Sequence, residues 1–317
     1  MAKYLGIEIG GTKLQAALGD GEGTLEHLER VPAQARGGRE AICHQIVELA
    51  NTVLKSAGIT KSDVTRIGIG FGGPVDPAAG LVCTSHQVDG WDNFPLVSWL
   101  QEQVGLPVVL GNDSDMAGLA EANFGAGKGK SRVVYMNIGS GIGGAIVIDG
   151  RVYMSQGAGA SEIGHLRIKP SHHGAPWQTL EDVASGWNLA TAAKRAAERD
   201  PESKLATLVN GELSRITTQT LIKALEVRDQ AAVEIWLRAL EYLGVAIANV
   251  ITLFRPEIFV LGGGVSLAGD ILFEPLKREV AKQVFAPFAD SYSIVPAALG
   301  EDVVLHGSLK LARDGGA

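Results

Sequence analysis

The chain has 317 residues, 46% of them hydrophobic and 20% charged, with a net charge of −7. That is the balance of a folded protein of about two domains, and it excludes an unstructured chain. The absence of any basic block argues against a nucleic-acid surface, because phosphate contacts dominate that affinity. The 41 glycines exceed the usual share of about 7% and gather at the ends of apolar runs. Cys43 and Cys83 lie far apart with no metal-ligand spacing, and read as small buried hydrophobes in a reducing compartment. No leader and no uninterrupted apolar run of about 18 residues is present, so a cytoplasmic protein without membrane partners is expected.

Lys3 to Ile9 is an apolar strand that leads into Glu8-Ile9-Gly10-Gly11-Thr12-Lys13, and Leu14 to Leu18 resumes as strand. The result is a glycine hairpin whose tip carries a hydroxyl and a cation. It suits either a solvated turn or a grip on polyphosphate beside backbone N–H groups. Leu25 to Val31 adds a strand, and Gly38 to Ala57 an amphipathic helix stopped by Gly58. Arg66 to Phe71 is a strand closing on Gly72-Gly73-Pro74-Val75-Asp76. Leu96 to Val104 is a short helix, and Val108 to Leu110 a strand ending at Gly111-Asn112-Asp113. Asp113 then stands where a strand gives way to the helix Ser114 to Phe124. It is either a helix N-cap or a carboxylate at the ligand-binding end of a sheet.

Gly125 to Lys130 is a candidate hinge. Gly129-Lys130-Ser131 imitates the end of a Walker A loop, but Phe124 stands where that motif needs glycine and no helix follows. Val133 to Ile138 and Ala145 to Ile148 are strands on either side of Gly139-Ser140-Gly141-Ile142-Gly143-Gly144, and Asp149-Gly150 turns the chain back into Arg151 to Tyr153. Gly139, Gly141 and Gly144 have the spacing of a dinucleotide fingerprint. That motif requires a helix after the glycines; strand follows here, so the Rossmann reading fails. Glycines in this turn let ligand oxygens approach the backbone.

Glu162-Ile163-Gly164-His165 precedes a short strand, Leu166 to Pro170, and a loop with His172, His173 and Trp177. A helical region starts at Leu180-Glu181. Leu189 to Arg199, Ser203 to Asn210 and Thr218 to Leu225 read as helices. Gln230 to Phe254 is one long helix ended by Pro256, and its apolar breadth points to burial in the core or in a homodimer. Glu257 to Leu261 is a strand that runs into Gly262-Gly263-Gly264-Val265, where a flat ring could lie against backbone. Leu272 to Phe285 is a helix, Ser293 to Pro296 a strand, and Asp302 to Arg313 the last helix.

Three glycine turns at strand ends, near residues 10, 141 and 263, and two similar α/β halves suggest a cleft that holds one nucleotide. With Gly10-Gly11-Thr12-Lys13, Gly73-Pro74-Val75-Asp76, Asn112-Asp113, Gly139 to Gly144, Glu162-Ile163-Gly164-His165, Leu180-Glu181 and Gly262-Gly263-Gly264, the chain resembles the ROK family of bacterial sugar kinases nearly end to end. The resemblance implies an α/β protein of two actin-like ATPase (ribonuclease H-like) domains flanking a cleft. Residues 1–124, completed by the C-terminal helix 301–317, would form the smaller and residues 125–300 the larger. It implies ATP-dependent phosphorylation of a free hexose, glucose at the 6-hydroxyl first, with Mg²⁺ and a homodimeric state. Fructose, mannose, allose and N-acylated hexosamines are the alternative acceptors, and polyphosphate the alternative donor.

Position by position, the resemblance implies that Asp113 is the catalytic base. Gly10, Gly11, Thr12 and Lys13 match the first phosphate loop, and Gly139, Ser140 and Gly141 the second. Gly262, Gly263 and Gly264 match the adenosine-side turn. Gly73, Asn112, Asp113, Glu162, His165 and Glu181 match the sugar ligands, a set that offers both donors and acceptors. The family also includes sugar-responsive repressors, which carry a helix-turn-helix ahead of the phosphate hairpin; here the hairpin begins by residue 8.

Two departures stand out. Glu8 occupies the position of the family's usual Mg²⁺-holding aspartate, one methylene longer. The C-x-C-G-x-x-G-C cluster that holds structural zinc in most members is absent: Leu166 to Thr179 contains no cysteine, and Thr179 stands in place of the last one. Structural zinc is therefore not expected. A degenerate site built from His165, His172 and His173 is the alternative.

Overall fold

The computed structural model describes residues 2–85, 87–153, 161–169 and 177–316. The chain divides into two compact units. One holds residues 1–133, 145–161 and 298–317; the other holds 134–144 and 162–297.

The first sheet is built from β1 (Lys3–Ile9), β2 (Lys13–Gly19) and β3 (Leu25–Pro32), an antiparallel meander. After helix α1 (Gly38–Ser56) comes β4 (Val64–Phe71), parallel to β1. A two-residue hairpin, β5 (Val75–Asp76) and β6 (Leu81–Val82), precedes α2 (Leu96–Val104). Then β7 (Val108–Asn112) pairs parallel with β4 and runs directly into α3 (Asp113–Asn123). The strand order is β3-β2-β1-β4-β7.

The two faces of this sheet differ because side chains alternate along a strand. Leu5, Ile7, Ile9, Ile67 and Ile69 join Ile42, Ile46 and Val53 of α1 in one buried cluster. Cys43 of α1 is part of it, and burial pushes its thiol up to about 11, which leaves it unreactive; Cys83 is half-buried.

The second sheet follows the same pattern with β8 (Arg132–Ile138), β9 (Ile142–Ile148), β10 (Arg151–Val152), then β13 (Ile258–Gly262) and β14 (Ser293–Pro296), in the order β10-β9-β8-β13-β14. Between them the chain forms a small ladder, β11 (Arg167–Lys169) with β12 (Gln178–Thr179). Helices α4 (Leu180–Ala184), α5 (Gly186–Arg199), α6 (Lys204–Thr207), α7 (Thr218–Glu226) and α8 (Gln230–Phe254) come next. β13 (Ile258–Gly262), α9 (Asp270–Gln283), β14 (Ser293–Pro296) and α10 (Val303–Asp314) complete the chain.

Helix α10 lies on the other face of the first sheet, which is nearly flat. A Cβ on Gly68 would stand 1.9 Å from the Ser308 carbonyl oxygen, and one on Gly307 would stand 1.9 Å from that of Met116 in α3. Only glycine lets helix backbone approach strand and helix backbone so closely. Tyr4, Leu309 and Ala312 close the contact, and the Arg66 guanidinium donates to the Ala312 carbonyl at 2.7 Å.

By length and composition α8 could cross a bilayer, but half of its most apolar stretch is buried. It packs along α9, with Trp236, Leu240, Leu243, Ile247 and Ile251 inward, as a core helix does. Asp229 caps its start by accepting from the Ala232 N–H at 2.9 Å. Helix α9 starts at Asp270, before the expected Leu272, and tolerates Pro275 inside it. Proline deprives the Ile271 carbonyl, four residues back, of its helical donor. The Trp236 indole N–H supplies one instead at 3.1 Å.

Candidate active site

In the first unit the β1–β2 hairpin closes with the Gly10 N–H donating to the Lys13 carbonyl at 3.1 Å. Strand register sets Glu8 directly opposite Gln15. The Glu8 carboxylate is mostly buried. It accepts from the Gln15 amide and lies 3.9 Å from Lys13 Nζ. Burial pushes its carboxyl up to about 7 from 4.5; the Lys13 charge and the Gln15 hydrogen bond pull it down, and the Asp113 carboxylate adds to the rise. Glu8 and Asp113 therefore share one electrostatic neighbourhood.

At the β7–α3 junction the cap is supplied by the residue before Asp113. Asn112 is the N-cap: its Oδ1 accepts from the Ser114 and Asp115 N–H groups at 2.8 and 3.3 Å, and its Nδ2 donates to the Gly73 carbonyl at 2.9 Å. Asn112 thus ties the Gly72-Gly73 turn to the start of α3. Asp113 is the first helical residue. Its Oδ1 accepts from the Ser114 N–H at 2.7 Å, and a methyl on Gly72 would lie 3.4 Å from its Oδ2. Gly72, Gly73, Asn112 and Asp113 are thereby gathered at one point.

In the second unit a different set converges. Glu162 and His165 flank the turn Ile163–His165, and both are exposed. Gly164 of that turn abuts the Ile142 carbonyl, where a Cβ would fall 2.0 Å away. Glu181 at the start of α4 accepts from the Ile142 N–H at 2.7 Å. A Cβ on Gly141 would land 2.4 Å from its Oε2. The structural demand for glycine at 141 therefore comes from Glu181.

The segment where the resemblance expects a zinc loop is bracketed by β11 and β12. Arg167 pairs with Thr179 across β11 and β12. Thr179 heads a capping box with Asp182: its hydroxyl accepts from the Asp182 N–H at 3.2 Å, and its own N–H donates to Asp182 at 2.9 Å. Among the described residues no three His, Cys, Asp or Glu side chains group as metal ligands. His172 and His173 lie outside the described residues.

The second unit also contains a cavity of about 600 Å³, within the size range of small-molecule sites. Gly139 and Ser140 line it from one side, Gly264 and Val265 from another. Gly262 does not line it but backs onto Tyr135, where a Cβ would stand 2.3 Å from the phenolic oxygen. Among the wall residues that escaped the sequence reading are Trp187 and Lys194 of α5 and Thr218 of α7. The start of α5 is tied to the second glycine turn, since the Gly186 N–H donates to the Gly139 carbonyl at 2.8 Å. Thr218 anchors it from the other side, its hydroxyl donating to the Gly186 carbonyl at 2.8 Å.

The model of the ROK family matches residues 4–315. The chain belongs to the ROK family. A glucokinase of Halalkalibacterium halodurans is 32% identical over 309 residues, 96% of this chain and 93% of that protein. The crystal structure of a ROK glucokinase from Streptomyces griseus with glucose and AMPPNP superposes with a TM-score of 0.83 at 30% identity, over 99% of this chain and 100% of that one. A xylose repressor of Caldicellulosiruptor bescii is 24% identical over 98% of this chain and 78% of its own length. The two five-stranded sheets of this ROK protein carry the actin-like ATPase fold, and the chain is an ATP-dependent sugar kinase.

Proposed function

We propose that this ROK kinase transfers the γ-phosphoryl group of ATP to the 6-hydroxyl of glucose, with Asp113 as general base. The observation that carries the reading is the division of labour at the β7–α3 junction. Asn112 takes over the helix cap, so Asp113 is not needed for it. The Asp113 carboxylate sits beside Gly72, at the carboxyl end of a parallel strand, and its charge is felt at Glu8. Ligands collect there in open α/β sheets. Glucose as acceptor is supported by the glucokinase relatives and by the glucose bound in the Streptomyces griseus enzyme.

Phosphoryl transfer asks the protein for positioning and charge neutralisation more than for covalent chemistry. Gly10, Gly11, Thr12 and Lys13 contribute backbone donors, a hydroxyl and a cation to the phosphates. Gly139 and Ser140 contribute the same kind of backbone, and Gly263, Gly264 and Val265 border the adenosine. Glu162, His165 and Glu181 bind sugar hydroxyls as acceptors and donors, and Asp113 accepts the proton of the attacking hydroxyl. Mg²⁺ fits Glu8: the carboxylate is a hard oxygen ligand whose charge burial disfavours, and a cation would relieve that cost. When bound, Mg²⁺ neutralises charge on the phosphates.

The test is ADP release across a panel of sugars, with ATP and with polyphosphate. Glucose with ATP should give the highest kcat/KM; a higher value for fructose, mannose, allose or an N-acylated hexosamine would reassign the acceptor. The role of Glu181 has its own test. Gly141→Ala drives a methyl into the Glu181 carboxylate, so glucose affinity measured without nucleotide should fall on the order of tenfold, the scale of a charged hydrogen bond. Gly139→Ala, whose methyl finds its nearest neighbour at 3.5 Å, should leave that affinity unchanged.

A further inference from the structure

Glu8 is one methylene longer than the aspartate usual at its position, and the molecule holds that longer side chain in a specific way. Gln15 faces it across the hairpin and is fully buried. Both hydrogens of its amide nitrogen are used, one on Glu8 Oε2 at 2.5 Å and one on the Glu301 carbonyl at 3.1 Å. The amide oxygen accepts from Arg30 Nε at 2.8 Å. Arg30 is fixed in turn by Glu301 at 3.1 Å and Asp302 at 2.9 Å. The amide has one acceptable orientation: turned over, its oxygen would face a carboxylate and a carbonyl, and its NH₂ would face a guanidinium. Lys13 Nζ reaches the same Glu301 carbonyl at 3.4 Å, so the phosphate-loop cation and the Glu8 clamp share one anchor.

We propose that Gln15 is a positioning residue that compensates for the extra methylene of Glu8. It holds one carboxylate oxygen, and with it the reach of the side chain toward a divalent cation, while Arg30 sets the direction of the amide. The inference rests on the reading of Glu8 as the Mg²⁺-holding carboxylate. A bond of this kind behind a metal ligand orients the ligand without touching the metal.

The experiment measures equilibrium affinity for ADP with and without Mg²⁺, in the wild type, in Gln15→Met, in Glu8→Asp and in the double variant. Methionine keeps the volume and removes the donor. Gln15→Met should reduce the Mg²⁺-dependent gain in affinity by about tenfold, the lower end for outer-shell partners, with metal-free ADP affinity unchanged. In the Glu8→Asp background the same substitution should have little effect, because the shorter carboxylate no longer depends on the amide. If Gln15→Met is unfolded by circular dichroism, Arg30→Met, which releases the amide orientation, should show the same loss in smaller measure.

An unchanged Mg²⁺ gain in the folded variant would overturn the proposal. So would an equal loss in the Glu8→Asp background, or a matching fall in metal-free affinity. A wild type with no Mg²⁺-dependent gain would overturn both this inference and the assignment of Glu8 to the metal.

Discussion

Asp113→Asn is expected to lower kcat by roughly 10²- to 10⁴-fold, the usual contribution of a general base. Glucose affinity should remain within a few-fold of the wild type. The substitution is nearly isosteric. An asparagine oxygen can still accept from the Ser114 N–H as Asp113 Oδ1 does at 2.7 Å, and the Asn112 cap with its tie to Gly73 is untouched. What is lost is the capacity to take the proton of the hydroxyl under attack. Initial rates from a coupled assay, set beside glucose binding by calorimetry, separate these terms. Near-normal turnover in the variant would remove Asp113 from the role of base. Loss of glucose affinity in step with kcat would make it a sugar ligand first.

The largest expected effect on stability belongs to a residue with no part in the chemistry. Glu121, near the end of α3, is fully buried. Its Oε1 accepts from the Ala298 and Leu299 N–H groups, and its Oε2 from the Ala126 N–H, all at 2.8 Å. One carboxylate thus fastens the turn after α3 and the segment leading to α10. The Gly125–Lys130 stretch read as a hinge is therefore held at its start.

Glu121→Ala removes the acceptor of three N–H groups, those of the half-buried Ala126 and Leu299 and of the exposed Ala298. Hydrogen bonds to a charged group contribute about 1.5–3 kcal/mol; with water reaching part of the freed N–H groups, a loss of roughly 3 kcal/mol is expected, against about 5–15 kcal/mol for a whole domain. Glu121→Gln keeps an oxygen for the Ala298–Leu299 pair and sets an NH₂ against the Ala126 N–H, so it should cost less, about 1–2 kcal/mol. Urea unfolding of the three proteins checks the order. An alanine variant within about 1 kcal/mol of wild type would mean that water replaces the carboxylate.

The limits of the sequence reading have identifiable physical causes. Helix α8 could be bounded from local chemistry, since Asp229 caps its start and Pro256 follows its end. The β5–β6 hairpin could not: two residues per strand are too short for a period, and only the Asp76-Pro77 turn marks it. Pro275 argues locally against a helix at its position, and the compensation comes from Trp236 in α8, 35 residues before the Ile271 carbonyl it serves. In the site, the glycine turns were visible because glycine is conspicuous. Trp187, Lys194 and Thr218 were not, because their grouping depends on how α5 and α7 pack. Gly141 was legible as a turn, but its neighbour Glu181 lies forty residues on and only the fold brings them together. Asn112-Asp113 shows the reverse case: the pair was recognised, and the hydrogen bonds identify Asn112 as the cap.

The seating of α10 on β1 and β4 has a consequence for how the protein is made. Strands Lys3–Ile9 and Val64–Phe71 receive one of their two covers from Val303–Asp314, which is synthesised long after them. The first unit therefore completes its folding only once residues 303–314 have left the ribosome. A nascent chain stopped short of residue 303 would present a bare, flat sheet face to chaperones and proteases.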